Sequence, residues 1–296
     1  MCGIVGILGQ HEVAPTLVEA LKRLEYRGYD SAGIATLNEG NLDRRRAVGK
    51  LVNLSDLLVH DPLLGKSGIG HTRWAPHGAP TTGNAHPHQA GPVAVVHNGI
   101  IENFRELRIE LREHGLSCTT ETDTETVALL TQHHLAQGLD HVAAAFATLD
   151  RLQGAFALVF LFEGEDDLMI AARKGSPLAI GHGDGEMYVG ADAIALAPLT
   201  DRITYLAEGE RAGITRAGVP RQQTHPTGCD ADRQGRIQAF HGEGDRRTAH
   251  RSGRRSGQLC QGRRDPPARR GGGFLEDAAS DAGGLRHRVL CLPDRE

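Results

Sequence analysis

The cysteine at position 2 is the residue of this chain best suited to act as a nucleophile. It lies between Met1 and Gly3, and because Cys is small, removal of the initiator methionine would leave Cys2 as the N-terminal residue. Its thiol, with an ordinary pKa of about 8.5, would then share a residue with an α-amine of pKa about 7.7–8.0. That amine could accept the thiol proton directly or through one water, as in N-terminal threonine enzymes. The alternative is a cysteine that merely follows the start codon.

A cationic and an aromatic side chain adjoin at Arg73 and Trp74. There a strand predicted over residues 68–72 passes into a loop rich in Pro, Gly and His. The rigid, planar guanidinium of Arg73 suits the binding of a carboxylate. Trp74 is the single tryptophan of the chain, and at the start of a loop it could act as a lid.

Three histidines follow in the same loop, at His77, His86 and His88. Their number could indicate a metal site. However, no pair has the i,i+4 spacing of helical ligands, and no carboxylate lies between them. We therefore predict hydrogen-bonded loop histidines, with no metal and no cofactor.

Asn98 and Gly99 adjoin where a predicted buried strand, starting near Pro92, meets a turn. A side-chain amide and a glycine backbone N–H placed in this way can point at the same spot, which is the requirement for an oxyanion hole. The alternative is a hairpin turn of the Asn-Gly type. A helix predicted over 102–113 disfavours the hairpin, because a partner strand would have to follow instead.

Asp123 lies near the start of a helix predicted over residues 119–137. Thr122 and Glu125 have the spacing of a capping box, and Asp123 would occupy the first turn, where the helix dipole favours a carboxylate. A carboxylate at this point could instead hold a substrate ammonium group. Spacing alone leaves both interpretations open.

Arg27 belongs to the segment EYRGYDSAG. This segment predicts a turn between a helix over 13–24 and a strand over 32–37, and Gly33 permits geometry that other residues resist. The residues alone indicate an ordinary turn with a solvated pair of Arg27 and Asp30.

Hydrophobic periodicity supplies the remaining elements. A buried strand is predicted over 3–9, with helices near 51–58 and 140–152. From 154 to 206 the period falls to two, which predicts consecutive short strands arranged as a meander. The run Arg44–Arg46 is predicted to be a solvated hairpin end rather than a nucleic-acid patch, because the surrounding region is acidic overall.

The net charge of −4 is the sum over two segments of different composition. Residues 1–210 hold 16 Lys and Arg against 27 Asp and Glu, whereas residues 211–296 hold 17 Arg, no Lys and 10 acidic residues. Only 11 of those last 86 residues are Leu, Ile, Val or Phe, well under the roughly 20% that a packed core requires. The fold is therefore expected within about the first 210–219 residues.

Cysteine usage and hydropathy indicate the compartment. The five cysteines include no CxxC pair, and an odd number without a signal peptide fits a reducing cytosol. No apolar run approaches the ~18–20 residues that a membrane span needs. We predict a cytoplasmic protein without a membrane or nucleic-acid partner.

Taken together, the motifs resemble a known family. CGIVG, YRGYDSAG, HTRWAPHG, NAHPH, VVHNGIIEN, TETDTE, GAFAL and ARKGSPL follow one another along about 215 residues. This order is similar to that of the N-terminal glutaminase domain of the glutamine–fructose-6-phosphate aminotransferases (isomerizing), which are class II glutamine amidotransferases. The resemblance implies an α+β fold of the N-terminal-nucleophile type, a four-layer αββα sandwich with two antiparallel sheets between helix layers.

The resemblance also implies a mechanism. Cys2, freed of Met1, would attack the carboxamide carbon of glutamine, with its own α-amine as base. Asn98 and Gly99 would stabilise the tetrahedral oxyanion. The products would be glutamate and ammonia.

Five further residues receive binding roles from the resemblance. Arg73 would hold the α-carboxylate of glutamine and Asp123 its α-ammonium group. Trp74 and His77 would belong to the loop that closes over the site, and Arg27 would help to position the N-terminus.

Two features depart from the family pattern. Pro76 stands where family members usually have Thr, which removes a hydroxyl and an N–H and would weaken glutamine binding at most about tenfold if either touches it. In addition, the match ends near 218–220, and nothing resembles the sugar-isomerase domains through which the family forms homodimers. We predict a glutaminase domain over 2–218 and a tail over 219–296, which a frameshift would explain better than a basic, nucleic-acid-binding segment.

Three functions follow as alternatives. The first is a glutaminase half-enzyme that lacks a site for fructose 6-phosphate. The second is an amidohydrolase of the same fold acting on another amide. The third is an inert fragment or a binding module.

Overall fold

A computed structural model describes residues 2–27, 30–74, 79–224 and 238–239 of the chain. The strands are β1 Gly3–Leu8, β2 Ser31–Asn38, β3 Asn41–Val48, β4 Ser67–Arg73, β5 His88–Ala90, β6 Val93–Ile101, β7 Gly154–Phe162, β8 Met169–Lys174, β9 Ala179–His182, β10 Met187–Gly190, β11 Arg202–Tyr205, β12 Glu210–Thr215, β13 Gly218–Thr224 and β14 Gln238–Ala239. The helices are α1 Ala14–Lys22, α2 Leu51–His60, α3 Phe104–Glu113, α4 Asp123–Ala136, α5 His141–Arg151 and α6 Ala193–Leu196. Within this part of the chain, no helix is long and apolar enough to cross a membrane. Most of the predicted tail lies outside the described residues.

The strands form two antiparallel sheets. The first has eight strands in the order β14-β11-β9-β10-β1-β4-β2-β3, and the second has six in the order β13-β12-β8-β7-β6-β5. Within the described residues, adjacent strands in both of these orders pair antiparallel. Strands and helices together give the predicted α+β class.

Three apolar clusters define the layers. Leu17 and Leu21 of α1 belong to a cluster that joins the helices α1, α2 and α6 to one face of the eight-stranded sheet. A second cluster joins α3, α4 and α5 to the six-stranded sheet. The third lies between the sheets, where Ile4 of β1 and Val96 of β6 are fully buried. The resulting order of helices, sheet, sheet and helices is the predicted αββα sandwich.

The N-terminal strand lies inside its sheet and not at an edge. All six residues of β1 are buried, as the apolar run predicted. The strand pairs with β10 on one side and with β4 on the other, and Gly3 lies opposite Thr72. This register brings Cys2 next to Arg73 and Trp74, which follow Thr72 directly. The buried strand β1, which follows Cys2 directly, therefore holds the N-terminal segment in place.

The predicted single meander over 154–206 is wrong. After β7 and β8, which lie in the six-stranded sheet, the chain crosses to the other sheet for β9, β10 and β11 and then returns for β12 and β13. A period of two shows which residues alternate between faces, but it carries no information about which sheet a strand joins.

The arginine run is not a solvated hairpin end. It lies within β3, which pairs with β2 over eight residues. Arg44 donates to the carbonyl of Pro87 at 3.1 Å, and Arg46 donates to the carbonyls of Gly83 and Ala85 at 3.0 and 2.9 Å. Alternate residues of a strand share a face, so these two side chains together fasten the segment that precedes β5.

We expect Gly33→Ala to destabilise the fold by about 1–3 kcal/mol, because a methyl group would overpack the site. A Cβ on Gly33 of β2 would lie 2.2 Å from the carbonyl oxygen of His86, closer than any two such atoms approach. Chemical or thermal unfolding measures the change. Gly83→Ala is the matched control, because the nearest atom to its Cβ would be 3.7 Å away. Equal free energies of unfolding for the two variants would show that a methyl group fits at Gly33.

Candidate active site

The Cys2 thiol lies against the start of the loop that follows β4. Its Sγ accepts the backbone N–H of Trp74 at 3.2 Å and is 3.5 Å from the Trp74 carbonyl oxygen. Burial raises the pKa of the thiol above its ordinary value, although the Trp74 N–H and the guanidinium of Arg73 act in the opposite direction. A thiol with a raised pKa is a poor nucleophile at neutral pH unless a base removes its proton.

Asn98 and Gly99 lie next to the N-terminus, on the opposite sheet. The Asn98 side chain donates from Nδ2 to the carbonyl oxygen of Cys2 at 3.0 Å. Both residues lie within β6, which continues to Ile101, so the prediction that they mark the strand end is wrong and a hairpin turn is excluded. Gly99 has φ +124°, and a Cβ there would lie 2.0 Å from the carbonyl oxygen of Ala155. The backbone conformation and the lack of space both require glycine at this position.

Asp123 is the first residue of α4. Its Oδ2 accepts the backbone N–H of Ile101 at 2.8 Å, and its Oδ1 is 3.7 Å from Nδ1 of His97. Burial alone would raise the pKa of this carboxyl group, but the His97 ring and the N–H groups of Ile101 and Thr124 outweigh it and lower the pKa to about 2. Asp123 is therefore a negative charge throughout the neutral range.

The predicted capping box is wrong in its contacts, and α4 begins four residues later than predicted. Thr122 occupies the N-cap, but its side chain makes no capping bond and lies 2.9 Å from Nε2 of His88. The Glu125 carboxylate accepts the N–H groups of Thr119 and Thr120 at 2.7–3.0 Å. The Glu125 side chain thus holds the loop before the helix and does not accept the N–H of the N-cap residue. This loop leads into the helix and sets the position of Asp123.

Arg73 and Trp74 differ sharply in exposure. The Arg73 residue is 4% exposed, and its Nη1 is 3.7 Å from Oδ1 of Asp30. Trp74 is 55% exposed. The cation is therefore fixed inside the protein, while the indole lies at the surface beside it.

One cavity of about 370 Å³ unites most of these groups. Of the predicted site residues, its walls include Cys2, Arg73, Trp74, Gly99 and Asp123. A thiol, a buried cation and an ionised carboxylate thus line one cavity. His77 and Pro76 lie outside the described residues.

Arg27 does not line this cavity. Its guanidinium forms an ion pair with Asp192, which also accepts the hydroxyl of Tyr26 at 3.0 Å. Asp192 is the N-cap of α6 and accepts the N–H of Ile194 at 3.1 Å. Arg27 therefore ties the turn after α1 to α6, a long-range link that spacing could not reveal. Its predicted role at the N-terminus stays a prediction.

Sequence reasoning missed a group of buried histidines at the cavity, two of which, His86 and His97, belong to its wall. His86 and His88 are hydrogen-bonded, as predicted, to Thr124 at 2.8 Å and Thr122 at 2.9 Å. They are buried, however, together with His71 and His97. Within the described residues, no cluster of three or more potential metal ligands occurs. The sequence signal was present, since each of these histidines lies in or beside a buried strand, but the partners are distant in sequence.

Comparison with known proteins agrees with this geometry. Residues 73–198 match the glutamine amidotransferase domain family. The glutamine phosphoribosylpyrophosphate amidotransferase from B. subtilis superposes with a TM-score of 0.65 at 25% identity, covering 75% of this chain and 49% of that one. A structure described as the allosteric regulatory enzyme of purine biosynthesis gives 0.63 at 26% identity, with the same coverage. The fold thus agrees with that of N-terminal-nucleophile glutamine amidotransferase domains, and residues 73–198 match that domain family.

Curated relatives narrow the assignment further. The glutamine–fructose-6-phosphate aminotransferase (isomerizing) of Brucella abortus is 63% identical over 219 residues, and that of Mesorhizobium japonicum is 60% identical over the same length. These matches cover 74% of this chain and 36% of each relative. Over these 219 residues the chain is therefore similar to glutamine–fructose-6-phosphate aminotransferases, and it spans about a third of the length of those relatives.

Proposed function

We propose that this chain hydrolyses the side-chain amide of glutamine to glutamate and ammonia, with Cys2 as the nucleophile. The observation that carries the proposal is the shared cavity, in which the Cys2 thiol faces the same space as Arg73 and Asp123. An α-amino acid carries one negative and one positive group at one end. A fixed guanidinium and an ionised carboxylate are the complementary pair.

The proposed reaction begins with removal of Met1. The α-amine of Cys2 accepts the thiol proton, and the thiolate attacks the carboxamide carbon. The Asn98 amide and the Gly99 N–H donate to the oxygen that becomes negative. The protonated amine then gives its proton to the leaving nitrogen, which departs as ammonia, and water hydrolyses the resulting thioester to release glutamate and the free thiol.

The proposal covers the glutaminase half-reaction only. We assign it to a domain over residues 2–218, to which β13 adds an edge strand. The curated relatives are named for amino transfer to fructose 6-phosphate. Among the described residues, the groups that line the cavity are those suited to an α-amino acid amide, and we propose no sugar chemistry for them.

The test combines an intact mass with an activity assay of the full chain. We expect a mass without Met1, together with release of equimolar glutamate and ammonia from glutamine. Asparagine should react far more slowly, because its shorter side chain would hold the amide away from Cys2. A chain that has lost Met1, is folded by circular dichroism and releases no ammonia from glutamine would contradict the proposal. Faster release from an amide without the α-amino acid group would favour a different amidohydrolase.

Asp123→Asn should weaken the use of glutamine by about 10–100-fold in kcat/KM, the effect of losing one charged hydrogen bond. The loss should appear mainly in KM, because the carboxylate contacts the substrate far from the reacting carbon. Glutaramic acid, which is glutamine without its α-amino group, provides the control substrate. Its kcat/KM should be low with the wild-type chain and should not fall further with the variant. Equal losses for both substrates would show that Asp123 acts on the fold and not on the ammonium group.

A further inference from the structure

The side chain of His71 connects the two sheets directly beneath the candidate site. His71 lies on β4 of the eight-stranded sheet and is 1% exposed. Its Nε2 is 2.9 Å from the carbonyl oxygen of His97 and 3.1 Å from Oδ1 of Asn98, both on β6 of the other sheet. The proposed nucleophile belongs to the first sheet through β1, whereas the oxyanion donor belongs to the second. The His71 contact therefore bridges the two halves of the catalytic arrangement.

The partners of Nε2 determine where the proton of this ring lies. A backbone carbonyl oxygen and an amide oxygen are acceptors only, so Nε2 must carry the hydrogen. Nδ1 of His71 is buried and has no hydrogen-bond partner within the described residues. A proton on Nδ1 would thus be a buried donor without an acceptor, which is costly. Burial likewise lowers the pKa of His71 to about 3, and the ring is neutral with its proton on Nε2.

This protonation state has a consequence for Asn98. The two ends of a side-chain amide have nearly the same shape, so packing alone does not select its orientation. A donor at Nε2 of His71 selects it, because only Oδ1 of Asn98 can accept that hydrogen. Nδ2 is then directed away from His71, and it donates to the carbonyl oxygen of Cys2 at 3.0 Å.

We propose that His71 is a positioning residue for glutamine hydrolysis, whose Nε2–H holds the Asn98 amide with its Nδ2 group directed toward Cys2. The inference rests on the proposed function. Neither His71 nor Asn98 is among the residues of the cavity wall, but Asn98 reaches Cys2 through its bond to the main-chain carbonyl oxygen. His71 acts through Asn98, and an oxyanion donor contributes only if it is oriented before the negative charge forms.

Two variants of His71 separate positioning from packing. His71→Leu keeps a buried side chain of similar size and removes the N–H. His71→Gln restores an N–H at the same number of bonds from the backbone as Nε2. We expect kcat for glutamine to fall about 10–100-fold in His71→Leu, a smaller loss than deletion of the donor itself. KM should change less than about threefold, and His71→Gln should recover most of kcat.

His134→Leu provides the matched control. His134 is also a buried histidine, and its Nδ1 lies 3.1 Å from Oγ1 of Thr148, on the layer of α4 and α5. Its loss should lower stability while kcat stays within about twofold. If His71→Leu folds and keeps the wild-type kcat, or if His71→Gln is no better than His71→Leu, the positioning role is wrong. A wild-type chain without glutaminase activity would instead contradict the proposed function.

A measurement on the unmodified chain tests the inference without activity. Two-dimensional ¹H–¹⁵N NMR of labelled imidazole rings distinguishes the proton on Nε2 from the proton on Nδ1. We expect His71 to show the Nε2–H form, unchanged between pH 5 and pH 8. A proton on Nδ1, or titration within that range, would overturn the inference even if the His71 variants fail to fold.

Discussion

Cys2→Ala is expected to reduce ammonia release from glutamine by at least about 10⁴-fold, since removal of a covalent nucleophile leaves only the contribution of binding and the oxyanion donors. The structure explains why no neighbour could replace it. Within the described residues, the second free cysteine is Cys118, which is not part of the cavity wall. The variant should still bind glutamate, because Arg73 and Asp123 remain. Ammonia release and calorimetric binding of glutamate measure the two properties separately.

Cys118→Ala is the matched control for this experiment. Its Sγ lies 3.8 Å from Oγ1 of Thr126 on α4, and burial raises the pKa of its thiol. Because this half-buried thiol does not line the cavity, the Cys118 variant should keep the wild-type rate. If Cys2→Ala stays active while Cys118→Ala does not, the nucleophile has been misassigned.

The α-amine of Cys2 can be tested without changing the thiol. A chain with residues added before Cys2 keeps the sulfur and loses the free amine beside it. We expect this chain to be as inactive as Cys2→Ala, because burial raises the pKa of the thiol and leaves it protonated without a base. Undiminished release of ammonia from the extended chain would show that another group accepts the proton.

Asn98→Ala is expected to lower kcat by about 10²–10³-fold, the usual effect of deleting one oxyanion donor. KM for glutamine should change little, because the amide interacts with the charge that develops in the transition state and not with the α-amino acid end. Steady-state kinetics with glutamine gives both constants. A rise in KM with kcat preserved would instead make Asn98 a ground-state binding residue.

Asn103→Ala is the control for loss of a structural asparagine close by. Asn103 precedes α3, and it donates from Nδ2 to the carbonyl of Arg151 and accepts the N–H of Gln153, both at 2.9 Å. It contacts neither Cys2 nor the cavity. Its replacement should lower the free energy of unfolding and leave kcat unchanged. If Asn103→Ala costs as much kcat as Asn98→Ala, the loss reports on the segment from β6 to α3 and not on the oxyanion.

The predictable part of this protein is the part that depends on neighbours in sequence. The apolar run predicted β1, the helix periods predicted α1 to α5, and the resemblance of the motifs to a known family implied the αββα class. The chemistry of Cys2 was equally accessible, because thiol and amine would belong to one residue. Asn98 and Gly99 were recognised together because they adjoin.

Contacts that depend on distant partners were not predictable. The crossing of β9–β11 into the other sheet, the fastening of residues 83–87 by Arg44 and Arg46, and the ion pair of Arg27 with Asp192 all join segments far apart in the chain. Hydrophobic periodicity and residue type do not predict such partners, because they describe one helix or strand at a time.

The two sources of information meet at the candidate site. By itself, the sequence determined which groups could react and what each could donate or accept, since those properties belong to the side chains. Only the tertiary structure decided that Arg73 and Asp123 face one cavity with Cys2, and that His71 of one sheet meets Asn98 of the other. The reason is physical: distance, burial and the direction of a hydrogen bond arise when two sheets pack, and neither sheet contains them alone.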